Sequence, residues 1–504
     1  MPGTGFDRTV DVVVLGLGDA GAVAAVTAHD AGAQVLVLEK QTAERHRPNS
    51  RYAAGFFLVP NDIDAACRYL TASYAVSGED TAVEPELIRT WAVETAANPA
   101  WLTAQGGEYS VLDLHGEHDA LPDHGSVTVH RVLPSERAAR WPGCPLFGLL
   151  RSLVDERGIE VRFGAAATGL ITGPDGDVLG VRVDDGGREQ RIGARRGVVL
   201  AVGGFEGDPA LQRQFLPVPR AWFYGSQDNT GDGIRMAQQV GAELWHMNVW
   251  PGHFVARFPG NGYTGGTGID VWGTGRFGPD PDRAVNPGAV FVDGAGQRFL
   301  AEPGRQHAAH LELLGMDAQR LSHPRIPTWW IFDERRFDKG PLVPTYSGPA
   351  GPVQDYTWSC DNVAELERGW IRSAATLHEL AGLCGVDAEA LTESVRRYNA
   401  SCAAGRDEEF GRAPSTLVPL DGRRFFAVPL YPGGSHTVGG PRRDAGARVR
   451  GVGGTPVGNL YSAGELGSIH GLLYPAGGAS LAECMAFGRI AGAAAAAADR
   501  TCAS

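Results

Sequence analysis

The sequence contains no run approaching eighteen consecutive apolar residues, so it predicts no membrane-spanning helix. It also has no excess of positive charge, since 45 lysines and arginines stand against 58 acidic residues and leave a formal net charge of −13. This balance argues against nucleic acid or an anionic membrane as the main partner. The first eleven residues have no basic segment followed by an apolar stretch, so no export signal is expected.

Paired cysteines are missing as well. The seven cysteines are scattered along the chain, and none stands in a Cys-x-x-Cys pair. The sequence therefore predicts neither a disulfide framework nor a metal site, and it favours a reducing cytoplasm as the location.

Glycine, by contrast, is abundant. The 70 glycines in 504 residues are about twice the usual share, with no collagen period or low-complexity block to account for them. Dispersed glycines indicate many places where the backbone turns tightly or passes close to a bulky group, as around a large cofactor. The length predicts two or three domains.

The N-terminal segment reads as strand, glycine turn, helix and strand. An apolar run at 11–15 leads into Gly16-Leu-Gly18-Asp-Ala-Gly21, an alanine-rich helical stretch spans 22–31, and a second apolar run at 34–39 ends in Glu39. In this context the first glycine allows the turn, the second lets the backbone approach a pyrophosphate, and the third lets the helix pack on the strand. The helix N-terminus favours phosphate, and Glu39 is expected to hold ribose hydroxyls. Ala20 and Lys40 are expected beside the same dinucleotide.

Later segments outline the remaining organisation. Periodicity and turn residues predict the following elements: helix 146–157, strand 159–163, a turn at 173–176, strand 178–183, strand 197–202, helix 231–244, helices 374–383 and 388–402 within a helical stretch 360–403, and a last helix 480–498. Residues 248–290 are rich in glycine, proline and aromatics, which is typical of irregular structure around a cleft. We predict one domain formed by 1–247 and 426–504, with a second domain at 248–425 inserted between them.

Several segments in this order resemble one enzyme superfamily. Besides the dinucleotide motif, they are 199–205 (Val-Leu-Ala-Val-Gly-Gly-Phe), 230–233 (Thr-Gly-Asp-Gly), 298–302 (Arg-Phe-Leu-Ala-Glu), 460–465 (Leu-Tyr-Ser-Ala-Gly-Glu) and 488–492 (Gly-Arg-Ile-Ala-Gly). Together they resemble the FAD-dependent fumarate reductases, 3-ketosteroid dehydrogenases and tricarballylate dehydrogenases. The resemblance implies an α/β fold, with a Rossmann-like FAD-binding domain built from both chain ends and an inserted α+β capping or catalytic domain.

The resemblance also implies which residues hold FAD. Glu465 corresponds to the glutamate that bonds the ribityl chain, and the 47–55 segment corresponds to the one beside the isoalloxazine, closest to its tricarballylate dehydrogenase form. His46 nearby raises the alternative of a covalent flavin link. The helix starting at Ser480 is expected to direct free N–H groups at the flavin pyrimidine carbonyl. The full set of FAD contacts expected outside the dinucleotide motif is Asn49, Ser50, Ala201, Gly203, Gly204, Asp232, Glu465, Ser480 and Leu481.

The segment 470–480 separates the branches of the superfamily. Fumarate reductases place a carboxylate-binding arginine here, and this chain has no arginine between Arg450 and Arg489. Its Tyr-Pro-x-Gly-Gly run resembles instead the ketosteroid dehydrogenases, in which the tyrosine hydroxyl and glycine N–H bind the substrate keto oxygen. The corresponding residues are Tyr474 and Gly478. A structural role for Tyr474, packing against the flavin, is the alternative.

Other positions leave the branch open. His436, in Ser435-His-Thr-Val-Gly-Gly440, looks more like the fumarate reductase histidine that touches a carboxylate, although a purely structural histidine would fit as well. The proton step has Arg305 and His307 as candidates. Tyr109, His253, Tyr263 and His310 are further loop residues that could face a cleft, and Tyr263 is counted among the candidate catalytic residues.

The sequence thus predicts an FAD-dependent dehydrogenase that desaturates a carbon–carbon bond next to the carbonyl of a cyclic or steroid-like ketone. The alternatives are a fumarate-reductase-like reduction of an activated alkene or a dicarboxylate or tricarballylate dehydrogenase and, from another class, a non-redox flavoprotein for isomerisation or assembly. No second dinucleotide motif is present, so an external acceptor is expected, either a quinone, a redox protein or oxygen.

Overall fold

The computed structural model describes residues 5–78, 83–259, 265–271, 288–302, 307–343 and 356–499. These residues form two compact units. Unit 1 comprises 1–216, 225–251 and 436–504, and unit 2 comprises 217–224 and 252–435. The boundaries expected from the sequence, after 247 and after 425, lie close to these borders, and their meaning as folding domains stays a prediction.

Unit 1 is built on nine longer strands, four shorter ones and nine helices among its described residues. The strands are β1 (Arg8–Leu15), β2 (Val35–Glu39), β3 (Phe56–Pro60), β4 (Tyr109–Val111), β5 (Val127–Val132), β6 (Glu160–Phe163), β7 (Ala165–Thr172), β8 (Val178–Asp185), β9 (Arg188–Leu200), β11 (Leu244–Trp245), β17 (Gly440–Pro441), β18 (Arg448–Arg450) and β19 (Pro456–Ser462). The helices are α1 (Asp19–Asp30), α2 (Asn49–Tyr52), α3 (Ile63–Ala75), α4 (Pro85–Ala96), α5 (Asn98–Ala104), α6 (Pro145–Glu156), α7 (Pro209–Phe215), α8 (Asp232–Gln239) and α13 (Ala479–Ala497).

The main sheet of unit 1 joins both ends of the chain. Its order is β18-β19-β9-β1-β2-β6, with β8 added on β9 and β7 on β8. The inner pairs β19/β9, β9/β1, β1/β2 and β2/β6 are all parallel. Strand β2, the part of β1 from Val10 onward and the last four residues of β9 are buried and mostly apolar, as a parallel sheet covered by helices requires. The predicted Rossmann-like sheet built from both ends of the chain is therefore confirmed.

Two small-residue helices cover this sheet side by side. Helix α1, the dinucleotide helix, packs along the C-terminal helix α13. A Cβ at Gly488 would lie 2.9 Å from the Ala20 carbonyl oxygen, and one at Gly492 would overlap the Ala24 carbonyl oxygen. Glycine at these two positions therefore sets the close approach of the helices, as small residues do elsewhere.

Unit 2 is an α+β unit centred on one sheet. Its strands are β10 (Trp222–Phe223), β12 (Gly252–Ala256), β13 (Ala289–Val292), β14 (Thr328–Asp333), β15 (Arg372–Ala374) and β16 (Phe425–Gly434). The long β16 pairs with β10, β12, β14 and β15, and all of the sheet's pairings except β10/β16 are antiparallel. Its helices are α9 (Glu334–Phe337), α10 (Val363–Glu367), α11 (Leu377–Cys384) and α12 (Ala388–Ala404).

Three expectations for local structure were wrong. The strand expected at 197–202 begins at Arg188, because its first half forms an antiparallel hairpin with β8. The helix expected at 231–244 ends at Gln239, and Gly241 then takes φ +70°. The helical stretch expected at 360–403 is interrupted by β15, which pairs with β16. None of the described helices is long and apolar enough to cross a membrane.

Candidate FAD site and carbonyl-binding segment

The dinucleotide turn connects β1 to α1, and glycine is required at its three positions for different reasons. Gly16 has φ +90°, and a Cβ there would overlap the Ala201 carbonyl oxygen. A Cβ at Gly21 would overlap the Gly16 carbonyl oxygen. Gly18 differs, because its φ is −80° and a Cβ would meet Ser50 Oγ no closer than 3.4 Å. The protein itself leaves room at Gly18, so the glycine there fits the close approach of a pyrophosphate.

This difference gives a testable prediction. Gly18→Ala is expected to keep the fold and to weaken FAD binding at least about tenfold, a loss of about 1.4 kcal/mol, because the added methyl enters the space of the pyrophosphate. Titration of apoprotein with FAD by flavin fluorescence measures the effect. Gly21→Ala is the comparison variant, expected to lower the free energy of unfolding by about 1–3 kcal/mol through overpacking. Unchanged FAD affinity in Gly18→Ala would refute the assignment of the turn.

Glu39 ends β2 as a buried carboxylate. Its Oε2 accepts the Leu17 N–H at 3.0 Å, and its Oε1 accepts the Gln41 N–H at 2.8 Å. Burial acts to raise the pKa of Glu39, but His46, whose Nε2 lies 3.6 Å away, and the two amides lower it below its usual value. An ionised acceptor at this position is what a ribose hydroxyl requires. His46 itself is buried, with its ring centroid 5.4 Å from that of Phe163.

The other predicted contacts near the turn are held by neighbouring segments. The N–H of Asp19 donates to Ser50 Oγ at 3.2 Å, which ties α2 to the first turn of α1. Lys40 Nζ donates to Asp232 Oδ2 at 2.7 Å and to Thr230 Oγ1 at 2.9 Å. The room at Gly18, the Glu39 carboxylate and the N-terminus of α1 together fit an FAD dinucleotide.

Two carboxyl side chains meet in this part of unit 1, and we call them the Glu206–Glu465 pair. Asn49 Nδ2 donates to Glu206 Oε1 at 2.7 Å and to Glu465 Oε1 at 2.9 Å. Asn229 Nδ2 donates to the same two oxygens at 2.7 and 3.0 Å. Thr437 Oγ1 donates to Glu206 Oε2 at 3.0 Å. The sequence predicts Asn49 and Glu465 as FAD contacts, whereas Glu206, Asn229 and Thr437 were not predicted as site residues.

The pair also explains the glycines that follow β9. Gly203 has φ +77°, and a Cβ there would lie 2.6 Å from Asn229 Nδ2. A Cβ at Gly204 would overlap Thr437 Oγ1 and lie 2.6 Å from Glu206 Oε2. These two positions accept only glycine because the cluster itself crowds them, whether or not a ligand is bound. A glycine pair followed two residues later by an acid is the sequence signal that could have located Glu206.

Tyr474 is buried and firmly positioned. Its Oη accepts the Ser480 N–H at 2.6 Å, and its carbonyl oxygen lies 2.9 Å from His118 Nε2. The next carbonyl, that of Pro475, accepts Tyr69 Oη at 2.8 Å. Burial raises the pKa of Tyr474 above its usual value, so the hydroxyl stays protonated and keeps its capacity as a neutral donor.

Gly478 precedes α13 with φ +84°. A Cβ there would lie 2.5 Å from the Phe56 carbonyl carbon and the Phe57 nitrogen, so only glycine fits. Its carbonyl accepts the Leu58 N–H at 3.3 Å. Within the described residues the Gly478 N–H donates to no acceptor. It thus remains available to a ligand.

His436 and Ser480 lie next to Tyr474. His436 Nε2 is 2.8 Å from Ser480 Oγ, and the His436 ring meets the Tyr474 ring edge-on at a centroid distance of 6.4 Å. Since the Ser480 N–H is bonded to Tyr474, the predicted contact of this amide with the flavin would compete with that bond. Leu481, the next residue, is buried.

The remaining candidates are distributed over both units. Arg305 and Tyr263 lie outside the described residues. Within unit 1, Tyr109 stacks on His130 at a centroid distance of 5.2 Å. Within unit 2, the His253 and His307 rings lie 4.6 Å apart. Burial lowers the pKa of His310 to about 3, which leaves it neutral. The described residues include no group of three or more His, Cys, Asp or Glu arranged to hold a metal.

Comparisons with known proteins agree with this geometry. The family model described as FAD binding domain matches residues 11–481. A 3-oxosteroid 1-dehydrogenase from Mycobacterium tuberculosis is 27% identical, over 95% of this chain and 97% of the relative. A fumarate reductase (cytochrome) from Shewanella frigidimarina is 26% identical, over 96% and 76% respectively.

The fold comparison points the same way. A crystal structure of 3-ketosteroid delta1-dehydrogenase from Sterolibacterium denitrificans matches with a TM-score of 0.83 and 25% identity, covering 97% of this chain and all of that one. The resemblance noted in the sequence is confirmed, as are FAD as the cofactor and oxidoreductase activity. The chain belongs to the FAD binding domain family and is an FAD-dependent oxidoreductase related to the 3-ketosteroid dehydrogenases and fumarate reductases.

Proposed function

We propose that the protein introduces a C=C bond α,β to the carbonyl of a cyclic or steroid-like ketone. The observation that carries this proposal is the pair of neutral donors in the 474–478 segment, the protonated Tyr474 hydroxyl and the Gly478 N–H. A ketone oxygen needs neutral donors, whereas a carboxylate favours a guanidinium. The buried Arg443 of unit 1 does not serve as such a guanidinium, because it is bound to Glu483 and to the carbonyls of Gly464 and Leu466.

The proposed chemistry divides between cofactor and chain. FAD, when bound, supplies the acceptor for the hydride that leaves the substrate. The chain holds the keto oxygen with Tyr474 and Gly478, so that negative charge developing there as the α proton leaves meets two fixed donors. Acceptance of the Ser480 N–H by Tyr474 Oη polarises the hydroxyl and strengthens it as a donor. Arg305 and His307 stay our candidates for the proton step.

Tyr474→Phe tests the carbonyl site. We expect full FAD content and a fall in kcat/KM of about 10²-fold or more, because the lost donor acts mainly in the enolate-like transition state. Steady-state kinetics with a 3-ketosteroid and an artificial electron acceptor measure the effect. Tyr461→Phe is the matched control, since Tyr461 is a buried tyrosine of the same unit whose hydroxyl donates to Ala494 O at 3.4 Å.

A purely structural role for Tyr474 predicts a different result. If Tyr474 only packs against the flavin, the variant would release FAD and show little specific kinetic loss. Normal turnover of the variant with a ketone would also reject the proposal, while FAD binding itself would stand.

A second candidate function is reduction of an activated alkene or oxidation of a dicarboxylate. The fumarate reductase relatives and the placement of His436 beside Ser480 favour it. Anaerobic photoreduction of the bound flavin, followed by fumarate or an enone, distinguishes the two substrate classes by which compound restores the oxidised spectrum. A flavoprotein that responds to neither would fit the non-redox alternative.

The partners follow from this chemistry. We propose a small-molecule ketone or enone as substrate and an external electron acceptor, either a quinone, a redox protein or oxygen. The cytoplasmic location expected from the unpaired cysteines stays a prediction.

A further inference from the structure

The Glu206–Glu465 pair has an unusual set of partners. Each Oε1 accepts one N–H from Asn49 and one from Asn229, so the same two amide groups bridge both carboxyls. Glu206 Oε2 accepts both the N–H and the hydroxyl of Thr437. Every one of these donors is neutral. Two adjacent carboxylates held by amides and a hydroxyl lack the counter-charge that buried carboxylates normally require.

Charged groups on the surrounding elements are engaged elsewhere. Lys40 pairs with Asp232, Arg235 with Asp208, Arg443 with Glu483, and Arg51 donates to the carbonyls of His46 and Pro142. The other titratable side chains on the elements around the pair include Asp19, Arg47, Tyr52, Asp228, His436 and Cys484, and burial raises the pKa of Asp19 to about 7. His436 is bound to Ser480, and none of these side chains hydrogen-bonds to the pair within the described residues.

These surroundings favour protonation. Burial raises the pKa of Glu206 against the opposing effect of its hydrogen bonds. Burial and the neighbouring Glu206 raise the pKa of Glu465 well above its usual value. When two carboxyls share one site, ionisation of the first opposes that of the second, and the two titrate as a unit.

The pair also lies where the cofactor belongs. Glu206 and Glu465 follow the carboxyl ends of β9 and β19, which run parallel to β1. The dinucleotide turn follows β1 at the same edge of the sheet. In open parallel sheets this edge holds the ligand. Asn49, which bridges the pair, is adjacent to Ser50, which accepts the first N–H of α1.

We propose that the Glu206–Glu465 pair is a redox-linked proton site, which holds one proton while bound FAD is oxidised and takes up a second when FAD is reduced. Hydride transfer delivers two electrons and one proton to the cofactor and thereby adds one negative charge at this edge. The second proton comes from solvent and converts the singly ionised pair to its neutral form. Atoms and charge thus balance without a further reactant. This inference depends on FAD binding and not on the identity of the substrate.

Spectroelectrochemical titration of the FAD holoenzyme, without substrate, tests the proposal. With one proton per two electrons the midpoint potential falls with a fixed slope per pH unit. Uptake of a second proton doubles that slope over one pH range. This range lies between the pKa of the pair when FAD is oxidised and the pKa of the pair when FAD is reduced. Glu465, whose pKa is raised further, holds the resident proton, and Glu206 is the carboxyl that takes up the second. We therefore expect the doubled slope in the wild type and the single slope in Glu206→Gln, in which the pair keeps no ionised carboxyl, with FAD content retained. Glu160→Gln, at a surface ion pair with Arg8, is the control and should behave as the wild type.

Two further measurements cover the case in which Glu206→Gln does not fold. Thr437→Val removes a donor that stabilises the ionised pair, so the pH range of the doubled slope should move upward, and Thr437→Ser should restore it. In the wild type, a reduced-minus-oxidised infrared spectrum should gain a protonated-carboxyl band that shifts in D2O. Equal slopes in wild type and Glu206→Gln, an unmoved range in Thr437→Val, or no such band would each overturn the proposal.

Discussion

Deletion of residues 460–504 is expected to abolish FAD binding altogether. The deleted segment includes the last three residues of β19, which are the ones paired with β9, as well as Glu465 and all of α13. Removing it opens the sheet at β9 and uncovers α1 on the face that α13 occupies. The ratio of flavin to protein absorbance in purified protein measures the result. Retention of full flavin occupancy by the truncated chain would contradict the predicted split domain.

A pair of point variants tests the same interface without truncation. Gly492→Val places a side chain into the Ala24 carbonyl of α1, whereas Ala493→Val makes a similar change at the neighbouring exposed position. We expect Gly492→Val to lower the free energy of unfolding by about 1–3 kcal/mol or more and to weaken FAD binding. Ala493→Val should cost no more than about 0.5 kcal/mol. If both variants changed the free energy of unfolding and FAD affinity equally, the close contact between α1 and α13 would not be what stabilises unit 1.

Arg443→Met is expected to destabilise unit 1 strongly. Arg443 and Glu483 are both fully buried, and their side chains form an ion pair. The Glu483 carboxylate also accepts the Ile469 N–H at 2.8 Å. Removing the guanidinium leaves a buried carboxylate without its counter-charge, which costs about 3–5 kcal/mol. Denaturant unfolding followed by circular dichroism measures the loss.

The double variant provides the control. Arg443→Met combined with Glu483→Gln removes both charges, so most of the lost stability should return, since a neutral replacement of a buried pair is often tolerated. Arg443 also holds the carbonyls of Gly464 and Leu466 on either side of Glu465, so FAD affinity should fall in the single variant. If the double variant is no more stable than Arg443→Met, the uncompensated charge is not the cause.

Local sequence patterns accounted for the dinucleotide unit because all of its parts are contiguous. Strand β1, the glycine turn, α1 and β2 follow one another within about thirty residues, as the βαβ unit requires. The ends of helices and strands were harder to predict from the sequence. The first half of β9 carries charged residues and reads as a surface segment until its pairing with β8 is known. Strand β15 is only three residues long and depends on β16, which lies about fifty residues later.

The candidate site was predictable only where a motif carried it. Glu39, Glu465, Tyr474 and Gly478 stand in recognisable segments, and their roles stay predictions. The carboxyl pair could not be read in this way, because its members converge from distant parts of the chain. Glu206 bonds to Thr437 across 231 positions, and Asn49 to Glu465 across 416. The lack of a neighbouring cation is a property of the folded arrangement and has no local sequence signature.

The position of β19 and α13 has a consequence for biosynthesis. The dinucleotide segment is synthesised long before the strand that flanks β9 and the helix that covers α1, because β19 and α13 lie far downstream of it in the chain. Until they are made, the earlier part of unit 1 exposes an apolar helix face and an open sheet edge, the features that chaperones bind and that promote aggregation. Closure of unit 1 must therefore follow the synthesis of α13.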